Sequence, residues 1–236
     1  MKKRFLGVLL SVAMVAAVLA GCGSSGAKET AAPAGSETEA ASEAASGETE
    51  AAGNTGDVIT VGFSQVGAES DWRTANSESM KSTFSTENGY NLIFDDAQQK
   101  QENQIAAIRN FIQQEVDYIV LAPVTESGWD TVLQEAKDAE IPVIIVDRMV
   151  NVSDDSLYTA WVGSNFKLEG QKACEWLKQY AAAKNMSEVN IVDIQGTIGA
   201  SAQIGRTEAL NEAVEANGWN LLAQQTGEFT QAKGQE

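Results

Sequence analysis

The sequence has 236 residues, 43% of them hydrophobic, with 16 lysines and arginines against 33 aspartates and glutamates and a net charge of −17. A chain this acidic repels the phosphate backbone on which nucleic-acid binding rests, so no nucleic-acid partner is expected. It has no histidine, which removes Ser-His and Cys-His catalytic pairs and the commonest metal ligand; the chain is not read as an enzyme, and no catalytic residue, metal or cofactor is expected.

At the N-terminus, Lys2, Lys3 and Arg4 precede an almost wholly apolar run from Phe5 to Ala20. The run is too short for a comfortable membrane span and has the plan of a secretory signal. It ends in Leu19-Ala20-Gly21-Cys22. Small residues before the cysteine fit a peptidase pocket, and the thiol can accept a diacylglycerol. Residues 1–21 resemble a bacterial lipoprotein signal, with Cys22 as the lipidation site. The expectation is an exported protein held on the outer side of the cell membrane, each buried acyl methylene contributing about 0.8 kcal/mol. Cys174, the only other cysteine, then has no partner for an intrachain disulfide and reads as a small apolar residue buried in a helix.

Residues 24–56 are almost entirely Gly, Ser, Ala, Thr and Glu, with Lys28 as their only base. Such a stretch cannot bury enough apolar surface to offset its ordering entropy. Residues 22–56 therefore read as a lipidated cysteine followed by a disordered acidic tether.

From Asp57 the composition becomes that of a globular fold. Apolar, β-branched runs predict strands at Val58–Val61, Leu92–Phe94, Tyr118–Leu121, Val143–Val146 and Val189–Val192. Helical patterns lie between them. Ile105, Ile108, Phe111 and Ile112 share one face; so do Trp129, Val132, Leu133 and Ala136; so do Ala173, Trp176, Leu177 and Tyr180. Gly89 and Gly218 read as helix stops. Strands alternating with helices predict an α/β fold of right-handed βαβ units, with parallel sheets covered on both faces.

Ligands of open parallel sheets sit beyond the carboxyl ends of the strands. There the sequence places Trp72 and Arg73 after the first strand, Asp95 and Asp96 after the second, Asp147 and Arg148 after the fourth, and Arg206 one turn into a later helix. A monosaccharide presents hydroxyls that donate and accept, and a flat C–H face. Carboxylates and guanidinium forks suit the hydroxyls and an aromatic plate suits the face. Each residue also has a plainer reading: Asp147 and Arg148 as solvated loop charges, Trp72 as core, Arg206 as a surface helix charge. Their agreement on one edge favours a shared site. The Gly196–Ser201 turn lacks the spacing of a phosphate loop and reads as a tight turn with Ser201 near a helix N-cap. Asp95 and Asp96 have no third ligand with them.

Six segments carry a family resemblance: VGFSQVGAESDWR (61–73), DDAQQKQENQI (95–105), LAPVTESGW (121–129), EAKDAEIPVIIVDR (135–148), DIQGTIGASAQIGR (193–206) and GEFTQAKG (227–234). With them the chain resembles the pentose/hexose-binding periplasmic proteins of ABC importers, nearest to the galactofuranose-binding members. The resemblance implies two Rossmann-like lobes of type I periplasmic binding protein, 57–164 and 165–236, closing on a sugar. It implies that Trp72, Arg73, Asp147 and Arg148 line the first-lobe side, with Glu69 and Gln98 as further candidates there. Asn165 would lie near the lobe crossing, Arg206 would come from the second lobe, and Phe229 would close over the ligand. The implied partners are a monosaccharide, permease subunits and the membrane through the lipid anchor, and a monomer is expected. A sensor of a sugar or autoinducer that feeds a receptor kinase or chemoreceptor is the competing expectation. The chain stops at Gln235-Glu236 as a helix should begin, so the second lobe is expected to be incomplete and the sequence a C-terminally truncated gene product. The particular sugar is not legible.

Overall fold

Residues 58–236 are described by the computed structural model; the N-terminal basic and apolar run, Cys22 and the tether through residue 56 lie outside the described residues. Five strands, β1 (Ile59–Gln65), β2 (Tyr90–Asp96), β3 (Tyr118–Leu121), β4 (Val143–Asp147) and β5 (Ala160–Gly163), form one parallel sheet in the order β2-β1-β3-β4-β5. The register pairs Gln65 with Asp96, Ser64 with Leu121 and Asp147 with Gly163. The carboxyl ends therefore finish close to one level, and the loops that follow them share one edge.

Three helices connect these strands: α1 (Asp71–Thr83), α2 (Gln101–Gln113) and α3 (Asp130–Asp138). The helix faces expected from periodicity in α2 and α3 pack as read. Ile108, Phe111, Trp129, Val132, Leu133 and Ala136 are buried with Ile119, Leu121 and Ile145, and Ile105 and Ile112 pack against them. Full burial of side chains of this size stabilises by about 1.5–3 kcal/mol each. Gly62 permits the close approach of α2, since a Cβ there would lie 2.5 Å from the Phe111 ring. On the other face Val61, Phe63, Val120 and Val146 pack with Met80 and Phe84.

The second part comprises α4 (Phe166–Ala183), β6 (Asn190–Gln195), α5 (Ser201–Asn217), β7 (Asn220–Thr226) and the short α6 (Gln231–Gln235). β6 and β7 pair in parallel, with a register shift at Ile191/Val192. Gly218, at φ 65°, stops α5.

Three expectations are corrected. The α4 face of Ala173, Trp176, Leu177 and Tyr180 is not the buried one: Trp176 is 63% exposed and stacks on Tyr180. α4 instead buries Phe166, Gly170, Cys174 and Ala181, because small residues let it approach α5. A Cβ on Gly170 would lie 2.7 Å from that of Ala209. Next, the structure has two strands that the apolar runs of the sequence do not mark. β5 is a four-residue edge strand, and β7 (NLLAQQT) is too polar in its second half to stand out. Finally, burial on both faces holds for β3 and most of β1, whereas β6 alternates, with Val192 and Ile194 exposed.

Candidate functional site

The loop after β1 begins the site. Ser70 caps α1, its hydroxyl accepting from the Arg73 N–H at 3.2 Å. That cap fixes the first helical turn, which carries Trp72 and Arg73. Arg73 is buried, and its guanidinium has three partners: Nε donates to Glu69 Oε1 (3.1 Å), Nη1 to Gln65 Oε1 (3.2 Å) and Nη2 to Asp147 Oδ2 (3.0 Å).

Asp147 closes β4 with a φ of 63°. Aspartate tolerates this left-handed conformation better than most residues, at a cost of about 1 kcal/mol. Arg148 follows, buried, with Nη1 donating to the Val124 carbonyl at 2.9 Å. Its guanidinium also lies 3.9 Å from Asp147 Oδ2 and 3.8 Å from Glu69 Oε1. Burial, and then Arg73 beside it, pull the Arg148 guanidinium down to about 10, while Asp147 and Glu69 draw it up. It stays cationic at neutral pH. Glu69 Oε2 is buried with no hydrogen-bond partner.

The opposite wall comes from the second part of the chain. Arg206, on α5, bonds Glu169 of α4 through Nη2 at 2.8 Å, and its guanidinium lies 5.0 Å from the Phe166 ring centre. Phe229 sits in the loop after β7, where Glu228 and Phe229 both have positive φ. Its ring rests against Gly196, where any Cβ would collide with it, and lies 4.9 Å from the Arg148 guanidinium carbon.

These groups surround one cavity of about 300 Å³, lined by Glu69, Trp72, Arg73, Asp147, Arg148, Arg206 and Phe229 among others. Three guanidinium groups are matched by the carboxylates of Glu69, Asp147 and Glu169. The site is therefore rich in donors and acceptors without a large net charge. Such a set suits a neutral molecule with many hydroxyls, and the rings of Trp72 and Phe229 suit an apolar face.

Residues 61–236 match the family described as periplasmic binding protein domain. The chain belongs to that family. The periplasmic binding protein domain is 46% identical over 179 residues to the galactofuranose-binding protein of Escherichia coli (strain K12), covering 75% of this chain and 55% of the relative. It is also similar to a crystal structure from Mycobacterium smegmatis in complex with β-D-fucofuranose (48% identity, TM-score 0.70, 74% of this chain and 57% of that one). A third likeness is to the periplasmic binding protein component of the arabinose ABC transporter from Shewanella sp. ANA-3, bound to α- and β-L-arabinofuranose (49% identity, TM-score 0.68, 74% and 57%). The chain thus spans little more than half the length of these relatives.

Within this periplasmic binding protein domain, seven of the nine residues read from the sequence as sugar-binding come together: Glu69, Trp72, Arg73, Asp147, Arg148, Arg206 and Phe229. Two do not. Gln98 is an exposed residue of the β2–α2 turn with φ 53°, its N–H donating to Asp96 Oδ1. Asn165 caps α4, its Oδ1 accepting from the Leu168 N–H at 2.9 Å. A strand end brings a residue to the correct edge, but the local turn decides where its side chain is spent. Ser201 stands next to the α5 N-cap as read, the cap itself being Ala200, and its hydroxyl accepts from the Met149 N–H. Sequence reasoning missed Phe166 and Glu169, which line the cavity immediately after Asn165. Their only sequence signal is that the chain crosses there from one sheet to the next part.

Proposed function

We propose that this protein is an exported, non-catalytic solute-binding protein that captures a neutral monosaccharide, a furanose such as galactofuranose by preference, for an ABC importer. The segments 57–164 and 165–236 act as lobes that close on the ligand. The observation that carries the reading is the pair of buried arginines, Arg73 and Arg148, held by half-buried Asp147 and facing Arg206 and Phe229 across one cavity. Guanidinium forks and carboxylates offer fixed partners to ring hydroxyls, and the aromatic rings exclude water from the C–H face. The furanose ligands named for two similar structures support the same class. Lipidation at Cys22 tethers the protein through residues 22–56, and the closed monomer docks on permease subunits.

Calorimetric titration with galactofuranose, arabinofuranose, ribose and an anionic control such as glucuronate tests the reading. Saturable binding of a neutral sugar with a dissociation constant of about 10 μM or tighter is expected, near −7 kcal/mol. No binding of any neutral pentose or hexose at millimolar concentration overturns it. In cells, deletion is expected to abolish uptake of the bound sugar. Normal uptake with loss only of a sugar-induced response would assign the protein to sensing instead. Cys22→Ala is expected to release the protein from the membrane fraction.

A further inference from the structure

Gln65, the last residue of β1, is fully buried and does not line the cavity. Both of its polar atoms are spent. Oε1 accepts from Arg73 Nη1 at 3.2 Å and from the Val66 N–H at 2.9 Å. Nε2 donates to Asn76 Oδ1 at 2.8 Å and to Ser77 Oγ at 3.0 Å. Ser77 Oγ in turn donates to the Arg73 carbonyl. A buried amide with this many partners is either a structural tie between strand and helix or a device for holding the arginine.

The second part of the chain separates the two roles. Gln195 is the last residue of β6, as Gln65 is of β1. Its Nε2 donates to Thr207 Oγ1, twelve residues on, just as Gln65 Nε2 donates to Ser77 twelve residues on. The Gln195 carbonyl accepts from the Gly227 N–H after β7, and the Gln65 carbonyl from the Ala97 N–H after β2. The tie from strand end to helix hydroxyl therefore occurs twice. The arginine does not: where Arg73 stands eight residues after Gln65, Gln203 stands eight residues after Gln195. The bond from Arg73 to Gln65 Oε1 is an addition to a scaffold that works without it.

We infer that Gln65 is a positioning residue of the ligand site, holding the Arg73 guanidinium in its binding orientation before ligand arrives. This rests on the sugar-binding reading of the cavity. Three of the five guanidinium N–H groups are used on Glu69, Gln65 and Asp147, which leaves two for a ligand. An arginine free to rotate would lose rotamer entropy on binding; one already fixed loses little.

The test compares Gln65→Met, Gln65→Glu and Ser77→Ala in two measurements. One is hydrogen exchange at the Arg73 Nη1–H, which donates to Gln65, observed by NMR in ligand-free protein. The other is affinity for the neutral sugar that the wild type binds. Methionine removes the acceptor, and both exchange rate and dissociation constant are expected to rise about tenfold, the worth of one hydrogen bond to a charged group. Ser77→Ala removes part of the structural tie and is expected to lower the melting temperature while leaving both measurements at wild-type values. Glutamate keeps the acceptor but loses both Nε2 donors, so Arg73 is expected to remain protected even if Gln65→Met does not fold. The inference is overturned if Gln65→Met leaves Arg73 as protected as Ser77→Ala does, or if folded Gln65→Glu loses that protection. A wild type that binds no neutral sugar would end the proposed function, while the exchange measurement would still decide the role of Gln65.

Discussion

The Arg148 guanidinium at the end of β4 lies 4.9 Å from the centre of the Phe229 ring, which belongs to the loop after β7. This pair spans the cavity. A buried cation over an aromatic face is worth about 1–2 kcal/mol, and the same ring lines the cavity.

The Phe229 ring depends on Gly196, because a β-carbon at that position would occupy its place. Phe229→Ala is expected to weaken sugar binding about tenfold. Gly196→Ala should weaken binding comparably by displacing the ring, with the arginines untouched. Calorimetric titration of both variants checks this. Full affinity in Gly196→Ala would show that the ring has no part in closure.

Asp147 accepts from Arg73 and also lies near Arg148. Asp147→Ala leaves two neighbouring buried guanidinium groups short of a counter-charge. The expected cost is about 2–3 kcal/mol of folding stability together with loss of measurable sugar binding. Asp147→Asn keeps a residue that tolerates positive φ and should recover part of the stability but little of the binding. Urea denaturation beside titration separates the two effects.

Burial, and secondly the neighbouring Asp96, raise the pKa of Asp95 above the ordinary carboxylate value, and its Oδ1 is buried without a partner. The folded protein therefore holds this proton more tightly than the unfolded chain. Stability from this group is present below the unfolded value of about 3.9 and is lost as pH rises through the folded value. Asp95→Asn should be more stable than the wild type at pH 7, with the difference closing as pH falls to about 3. Melting curves over that range check the sign; a gap that widens on acidification would contradict it.

Gly170 lies where α4 meets α5, and its added Cβ would stand 2.7 Å from the Ala209 Cβ. Alanine usually favours a helix over glycine by about 1 kcal/mol. Here the overlap should outweigh that gain, and Gly170→Ala is expected to destabilise by about 1–2 kcal/mol net. An unchanged or raised melting temperature would show that the helices can separate freely.

Much of the first sheet was legible because its elements obey simple periodicities. The helix faces of Ile108 and Phe111 and of Trp129 and Leu133 pack as their spacing predicts, since one apolar stripe met one apolar sheet face. The α4 stripe misled for the opposite reason. Trp176 and Tyr180 are larger than Gly170 and Cys174, yet the smaller residues are buried, because contact between two helices rewards close approach over side-chain size. β7 lacks the apolar signature because Gln224, Gln225 and Thr226 make its second half polar.

The sequence by itself determined the alternation of strand and helix, and with it the edge on which Trp72, Arg73, Asp147, Arg148 and Arg206 would stand. Strand ends are fixed by local pattern, and parallel pairing brings them level. Only the tertiary structure decided which side chains meet. It brought Phe229 over Arg148, paired Arg206 with Glu169, and gave Gln65 to Arg73, while Gln98 and Asn165 turned to local backbone partners. Those choices depend on packing between distant segments and on backbone angles such as that of Asp147, which no short-range pattern encodes.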